Sequence, residues 1–556
     1  MLRSAILWIA GAGVLCAAGP PVVLISIDTL RADHLGIYGY RRITTPNIDS
    51  FAQGGTVFAN IACQTPLTLP SHTSLFTSTY PFENGIQENA EVVPQGAVTL
   101  AGVLRERGYK TAAFIGSVFL EREMGLDQGF ETYDSPFHFE AFSPLSGDLF
   151  FGGLENPYAV RDRRDGSLVV AAALHWMSVH RGEDVFVFVH LFDLHAPYSV
   201  PESARRNSIS PYDAKLEYAD ELIGRLKTGL VREGLWDKSL AILLSDHGEG
   251  LGDHGESTHG YFIYQSTLHV PLMFHWPAGA TGQPVRIDRP GGLIDVSPAI
   301  LDFLHVAAPS SFEGTSLFDT RPRAVYSETR YAHDSFGWSP LRSVRKDAYK
   351  YIDAPKPELY DLRKDPAERS NIVLGNPAEA RALRAELAKV LANHARPTPT
   401  QTAAASPQTE KLLASLGYVA PGPRTHTTAG GPDPKDRLPE YLLYQKSMEA
   451  VKQRRLNTAV AILRQILAGD STNTLARRDL ASCYLDLHDD AKARADFEKV
   501  VAAAPNDYAS QFGLGLADKH LGFINDARAH IETACHLAPQ AVQCQHELDE
   551  LKQGSN

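Results

Sequence analysis

Cysteine is scarce in this chain, with five residues in 556. Cys16 falls in the apolar N-terminal stretch, and the other four, Cys63, Cys483, Cys535 and Cys544, are too few for a fold built on disulfides. None of them forms a Cys-x-x-Cys pair, so nothing suggests a zinc knuckle. Positive charge is also in deficit: 53 Lys and Arg stand against 65 Asp and Glu, a formal net charge of -12. A nucleic-acid binder normally carries a basic stripe or domain, so that class is set aside and a small or neutral substrate stays open. What is present is a globular composition, 44% hydrophobic and 21% charged, in a chain too long for one ordinary core. Two domains, one of them large, are expected.

Arg3 precedes an apolar run from Ala5 to Leu15 and the small residues Ala17, Ala18 and Gly19, which is the layout of a secretory signal peptide over residues 1–19. The expectation is export to the periplasm or the outside. An uncleaved membrane anchor is the alternative, since the run is short for a span but is extended by its neighbours. Cys16 does not mark a lipoprotein, because Val14 and Leu15 before it are not small.

After the leader, Val22 to Ile27 is a continuous apolar and β-branched run ending at Asp28, as expected of a buried parallel strand with a polar residue at its carboxyl end. Val185 to Val189 runs into His190 and Asp193, and Leu240 to Leu244 into Asp246 and His247. Helical patterns, Leu100 to Arg107 and Tyr218 to Arg232, alternate with them. This is the order of an α/β fold, in which ligands collect outside the carboxyl ends of the strands. Residues 396–435 turn to Pro, Thr, Ala and Gly and read as a linker. Beyond it, over 436–556, Ala459, Ala493 and Ala527 fall 34 residues apart, as do Leu480 and Leu514, and Pro505 and Pro539. That period marks tetratricopeptide repeats, helix pairs that bury their apolar stripes by stacking on neighbours and that commonly bind a protein partner or, in an array of only about three units, cap the enzyme domain.

Polar clusters supply the chemistry: Asp28; Thr68 in Thr68-Leu69-Pro70-Ser71-His72; Asp193-Leu194-His195; and Asp246-His247-Gly248-Glu249 followed by His259. Singly each is weak, because a lone Asp at a strand end is often a helix cap and a lone His a satisfied polar group. Together, three Asp, several His and a hydroxyl make the oxygen and nitrogen set that suits Zn²⁺ or Mn²⁺. Thr is a poor nucleophile near neutral pH, and a divalent metal on its oxygen lowers the pKa and creates an alkoxide able to attack phosphorus or sulfur. A second metal about 4 Å away would hold the substrate oxygen and the leaving group.

Val23 to Asp28 with Leu30-Arg31-Ala32-Asp33-His34-Leu35-Gly36, Thr45-Pro46-Asn47-Ile48-Asp49, Asp193 to Tyr198, Ser245 to Glu249 with Gly252-Asp253-His254-Gly255, and Val270-Pro271-Leu272 resemble the sulfatase family. Glu358 to Leu362 with Asp365-Pro366 and Asn371 is similar to its C-terminal segment. The resemblance covers roughly residues 22–375, in family order. It implies a catalytic domain over 20–395 of the alkaline phosphatase-like kind, a largely parallel sheet flanked by helices.

The departures are specific. Sulfatases carry Cys or Ser at the nucleophile position, which is converted to formylglycine, and a following Arg. Here Thr68 and His72 stand there, and Thr cannot be so converted because its Cβ already carries a methyl group. Thr29 replaces the second Asp of the usual pair, and His247 stands where Asn or Gln is frequent, which shifts the expected metal from Ca²⁺ to Zn²⁺ or Mn²⁺. These changes resemble the nucleotide pyrophosphatase/phosphodiesterases, in which an unmodified Thr attacks. By that likeness Asp28, Thr68, Asp246 and His247 hold one metal, and Asp193 with His259 a second. His195 is either a ligand or a substrate contact, and His72 is assigned to the substrate. The resulting expectation is a metal-dependent hydrolase, with one or two ions, of phosphoric, phosphonic or sulfuric esters on a small molecule, glycan or lipid. The alternatives are a phospho-group transferase of the same fold, or a catalytically degenerate domain that binds proteins through its repeats.

Overall fold

The computed structural model describes residues 19–137, 163–198, 210–280, 285–393, 430–539 and 541–553. All of the expected leader but Gly19, and the expected linker up to residue 429, lie outside the described residues. Among the described residues no helix is long and apolar enough to cross a membrane.

Strands β1 (Val22–Ile27), β2 (Thr56–Ala62), β3 (Lys110–Phe114), β4 (Thr132–Asp134), β5 (Val185–Leu191), β6 (Leu240–Leu244), β7 (His269–His275), β8 (Val285–Ile287) and β9 (Gly291–Gly292) form one sheet. Its order is β4-β3-β5-β1-β6-β7-β2-β8, with β9 also on β2. Strand β1 lies between β5 and β6, parallel to both, while β7 runs antiparallel to β6 and β2. The three runs read from sequence are thus adjacent at the centre, and β5 extends through His190 to Leu191.

The sheet is buried on both faces, which is why these strands are apolar without alternation. Val22 and Leu24 face the core that contains Leu69, Leu75 and Phe76 of helix α2 (Thr68–Thr77). Val23, Ile25 and Ile27 face helices α3 (Gly166–Val179) and α4 (Pro211–Arg232). All ten residues of α2 are buried. A second, antiparallel sheet of β10 (Val325–Thr329), β11 (Leu341–Lys346), β12 (Tyr349–Asp353) and β13 (Glu358–Asp361) packs on helix α5 (Pro377–Asn393).

Helices α6 (Pro434–Lys452), α7 (Leu456–Gly469), α8 (Thr474–Asp486), α9 (Asp490–Ala503), α10 (Tyr508–His520), α11 (Ile524–Leu537) and α12 (Val542–Gln553) complete the chain. Ala459, Ala493 and Ala527 are each the fourth residue of α7, α9 and α11, and all three are fully buried. Leu463, Phe497 and Ile531 follow four residues later on the same stripe. Asn473 and Asp507 cap α8 and α10 by accepting the backbone N–H groups of Ala476 and Ser510 at 2.9 Å. Cys535 and Cys544 form a disulfide between α11 and α12.

The segment Thr45 to Asp49 is pinned between α4 and the chain that follows β1. Pro46 opens helix α1 (Pro46–Phe51), whose first N–H groups would otherwise be orphaned. Asp220 of α4 accepts Ile48 N–H and Asn47 Nδ2–H at 2.8 Å and Asn47 N–H at 3.3 Å. Asp49 in turn accepts Ile37 N–H at 2.8 Å. Replacing Asp220 with Ala leaves those donors unpaired at a nearly buried site and should cost about 1–3 kcal/mol, read as a lower melting temperature. An unchanged melting temperature would show that α1 is held by its apolar contacts alone.

Candidate active site and metal centre

Because β1 and β6 are adjacent and parallel, their carboxyl ends deliver Asp28 and Asp246 to one place. The amino end of α2 brings Thr68 to them. Thr68 Oγ1 donates to Asp28 Oδ2 at 3.3 Å and lies 3.3 Å from His247 Nε2. His247 Nε2 is 3.4 Å from Asp246 Oδ2. The other nitrogen of His247, Nδ1, donates to the carbonyl of Gly248 at 2.9 Å, which aims Nε2 into the site. The positive end of the α2 dipole faces the same point and favours an anion there.

Asp28, Thr68, Asp246 and His247 are all fully buried. Asp28 Oδ1 and Asp246 Oδ2 have no hydrogen-bond partner. Burial pushes the Asp28 carboxyl up to about 6, against the pull of His247. Burial and then Asp28 raise Asp246 as well. Burial opposes the charged form of His247, but the Asp246 and Asp28 carboxylates outweigh it and hold its pKa above the ordinary value. Two adjoining buried carboxylates with unpaired oxygens are costly unless a cation joins them. Asp28, Asp246 and His247 form one of the two groups among the described residues whose ligand atoms converge closely enough to hold a metal ion. The other, His546, Glu547 and Glu550, is largely on the surface of the last helix.

The remaining expected residues are distributed differently. Asp193 turns to the amino end of α3, where Oδ1 accepts Gly166 N–H at 3.2 Å. The carboxylate beside His259 is Glu249, which accepts from His259 Nδ1 and from Tyr198 Oη, each at 3.0 Å. The residue two places after His247 thus reaches His259, while Asp193 Oδ1 serves the amino end of α3 and its buried Oδ2 has no hydrogen-bond partner. The His259 ring lies 4.3 Å from that of His247 and 5.3 Å from that of His195. His195 stacks on Phe192 at 4.4 Å, and its Nδ1 meets the carbonyl of Ala196 at 2.7 Å. Burial holds His259 well below the ordinary imidazole value, and burial with His259 pushes His195 down to about 3.

His72, assigned to the substrate from sequence, lies beneath the site. One helical turn after Thr68, its Nδ1 donates to the Thr68 carbonyl at 2.8 Å and Nε2 meets Ser26 Oγ at 3.0 Å. Both nitrogens are engaged inside the protein, 3.6 Å at the nearest from Asp246 Oδ2, and the substrate assignment is withdrawn.

Sequence reasoning gave no role of their own to three residues. Glu249 stands in the same short segment as Asp246 and His247, and that proximity was its only signal. His190 is fully buried on β5 opposite Ser26, with Nε2 3.6 Å from Asp28 Oδ2 and neither nitrogen hydrogen-bonded. Arg31 donates to the carbonyls of Glu249 and Gly250 at 3.1 and 3.3 Å and pairs with Asp253 at 2.9 Å, tying the end of β1 to the loop after His247. Thr29, where the family's second Asp is expected, adopts a positive φ of 57° and donates its N–H to Asp246 Oδ1 at 3.4 Å. A β-branched residue resists that conformation, so strain is held beside the ligands.

Comparison with known proteins agrees with this architecture. The sulfatase family model matches residues 20–306, a model of the N-sulphoglucosamine sulphohydrolase C-terminal region matches 252–396, and a tetratricopeptide repeat model matches 450–517. An arylsulfatase of Clostridium perfringens is 25% identical over 64% of this chain and 90% of its own length. A Delta 4,5-hexuronate-2-O-sulfatase of Bacteroides thetaiotaomicron is 24% identical over 69% of this chain and 89% of its own. In fold, the chain resembles the phosphonate monoester hydrolase of Agrobacterium radiobacter, with a TM-score of 0.55 and 22% identity over 68% of this chain and 97% of that one. The sulfatase model alone spans more than half of the sequence, and the residues it covers build the buried carboxylate, imidazole and hydroxyl site: the chain belongs to the sulfatase family and is an ester-hydrolysing enzyme.

Proposed function

We propose that this protein hydrolyses phosphoric, phosphonic or sulfuric esters with Thr68 as the attacking group, at a centre where Asp28, Asp246, His247 and Thr68 hold one divalent cation. The observation that carries the reading is the position of Thr68 Oγ1, 3.3 Å from both Asp28 Oδ2 and His247 Nε2. An imidazole in the set favours Zn²⁺ or Mn²⁺ over Ca²⁺. Such an ion, when bound, lowers the pKa of the Thr68 hydroxyl and offsets the charge of the two carboxylates.

The chain's own residues do the rest. Thr68 Oγ1 bonds to phosphorus or sulfur as the bond to the leaving oxygen breaks, and the Thr68 proton ends on the released alcohol. Water then cleaves the Thr68 ester, restoring the hydroxyl and releasing the acid. Glu249 accepts from both Tyr198 and His259, so it acts as a carboxylate, and the neutral His259 ring carries its proton on Nδ1. The neutral ring, beside those of His247 and His195, is placed to meet the substrate. The relatives named for sulfated sugars, a Delta 4,5-hexuronate-2-O-sulfatase and an N-acetylglucosamine-6-O-sulfatase, support an ester carried on a glycan. The absence of a convertible Cys or Ser supports a phosphoric or phosphonic group in place of the sulfuric one. The Cys535–Cys544 disulfide supports export, because such bonds persist in oxidising compartments.

Zn²⁺ or Mn²⁺ added to chelator-treated protein should raise its melting temperature, by a stabilisation of about 2.7 kcal/mol at a hundredfold excess over the dissociation constant. Asp246→Asn should abolish most of that rise, and a variant that responds as fully as the parent would remove Asp246 from the ligand set. Thr68→Ala should lower turnover of the best ester in a screen of phosphomonoester, phosphodiester and sulfate ester substrates by roughly a thousandfold, with metal binding largely kept. Thr68→Ser should keep appreciable activity. Full turnover by Thr68→Ala would replace the Thr68 mechanism with attack by water.

A further inference from the structure

The loop that follows His247 returns on itself before it reaches β7. Gly250 N–H donates to the Thr258 carbonyl at 2.6 Å and Gly252 N–H to that of Glu256 at 2.8 Å. The buried carboxylate of Glu256 accepts Tyr261 N–H at 2.7 Å and Phe262 N–H at 3.3 Å. His259 sits near the end of this loop, and Gly260, at a φ of 97°, turns the chain sharply just after it.

Arg31 and Thr329 hold this loop from the catalytic side, at the carbonyls of Gly250 and Gly260, and on another side it packs on the first helix of the repeats. The Tyr261 ring lies flat on Tyr441 of α6, centroids 4.1 Å apart and planes 11° apart, and both rings are essentially fully buried. Tyr261 Oη donates to the Pro434 carbonyl at 2.6 Å. Gln445 Nε2 bonds Tyr441 Oη at 2.8 Å and reaches Thr258 Oγ1 at 3.5 Å. Leu438 covers Gly255, where an added Cβ would meet its Cδ2 at 2.6 Å. The start of α6 is fixed independently to the second sheet: Ser339 N–H donates to the Pro432 carbonyl and Lys356 N–H to Asp433 Oδ2, both at 2.9 Å, and Lys435 pairs with Glu358 at 2.8 Å. On its far side α6 joins the repeats through Tyr444, whose Oη donates to Asp479 Oδ2 of α8 at 2.5 Å.

We propose that α6 is a positioning element of the catalytic unit, with Tyr441 holding the 250–262 loop, and with it His259, in place against the site. The inference rests on the reading of His259 as a site residue. The repeats are then mechanically continuous with the site wall, in contrast to a module that hangs from a linker, and truncation at about residue 430 strips the support from His259.

The test uses the full-length chain with Tyr441→Ala, Tyr441→Leu and Tyr441→Phe. Amide exchange is followed in peptides covering 250–262 and 474–537, beside kcat and KM on the best ester found. For Tyr441→Ala we expect exchange of 250–262 to rise roughly tenfold while 474–537 stays protected. We also expect kcat to fall roughly tenfold with KM changed much less. Tyr441→Phe, which keeps the stack, should restore both values. Tyr441→Leu keeps the apolar bulk without the flat ring and should give an intermediate loop exchange, which preserves the test if the Ala variant does not fold. Unchanged exchange of 250–262 in the Leu and Ala variants overturns the proposal, as does a fall in kcat without loop loosening. If the loop loosens as expected but His259→Ala leaves turnover intact, the positioning of the loop stands and the role given to His259 fails.

Discussion

Two carboxylates that water cannot reach set the terms for the rest of this protein. Asp28 and Asp246 extend from adjacent parallel strands, and each keeps one oxygen without a hydrogen bond. Placing two such groups together in a fully buried site is unfavourable by itself, and removing a compensating partner would cost several kcal/mol. The surroundings are arranged around that burden. Backbone N–H groups of His247 and Thr29 are donated to Asp246 Oδ1, the amino end of α2 points at the pair, and His247 presents a nitrogen to both Thr68 and Asp246. A divalent cation would satisfy the unpaired oxygens together with this nitrogen and hydroxyl.

The imidazoles near the carboxylates differ in state because their surroundings differ. His72 and His190 are held down to about 4, burial being the main cause, so they stay neutral and add no positive charge that would compete with a cation. His247 alone, between two carboxylates, is shifted the other way. The exchange of the family's second Asp for Thr29 fits the same balance. One negative charge fewer in a closed site lowers the repulsion between its carboxylates, and a backbone N–H in a strained conformation supports Asp246 in its place.

The repeats enter this arrangement through aromatic packing. Tyr441 and Tyr444 belong to the same apolar core as Leu24, Phe188 and Tyr261, so no layer of solvent separates α6 from the catalytic part. The first helix of a repeat array ordinarily needs a cap for its outer face. Here the enzyme supplies it, and the array in turn backs the loop that bears His259.

The strands at the sheet centre, the 34-residue period and the gathering of Asp28, Thr68, Asp246 and His247 were legible in the sequence. The first two follow from local rules, since a strand buried on both faces must be apolar throughout and a repeated helix pair must repeat its small residues, while the gathering of the four site residues was implied by family resemblance, Thr68 standing at a helix start and not at a strand end. The partners of His259, His72 and Asp193 were not legible. Which group a carboxylate meets depends on where the chain bends after the strand. Asp193 went to α3 and Glu249 to His259 for that reason. His72 was misplaced because spacing along a helix gives the face of a side chain but not what lies under that face. The docking of Tyr441 on Tyr261 joins residues 180 positions apart, with contributions from Trp338 and Phe336, and no periodicity in either segment announces it. The sequence determined which groups stand at the ends of the strands; the tertiary structure decided which of them face one another, because that choice is made by packing between distant segments.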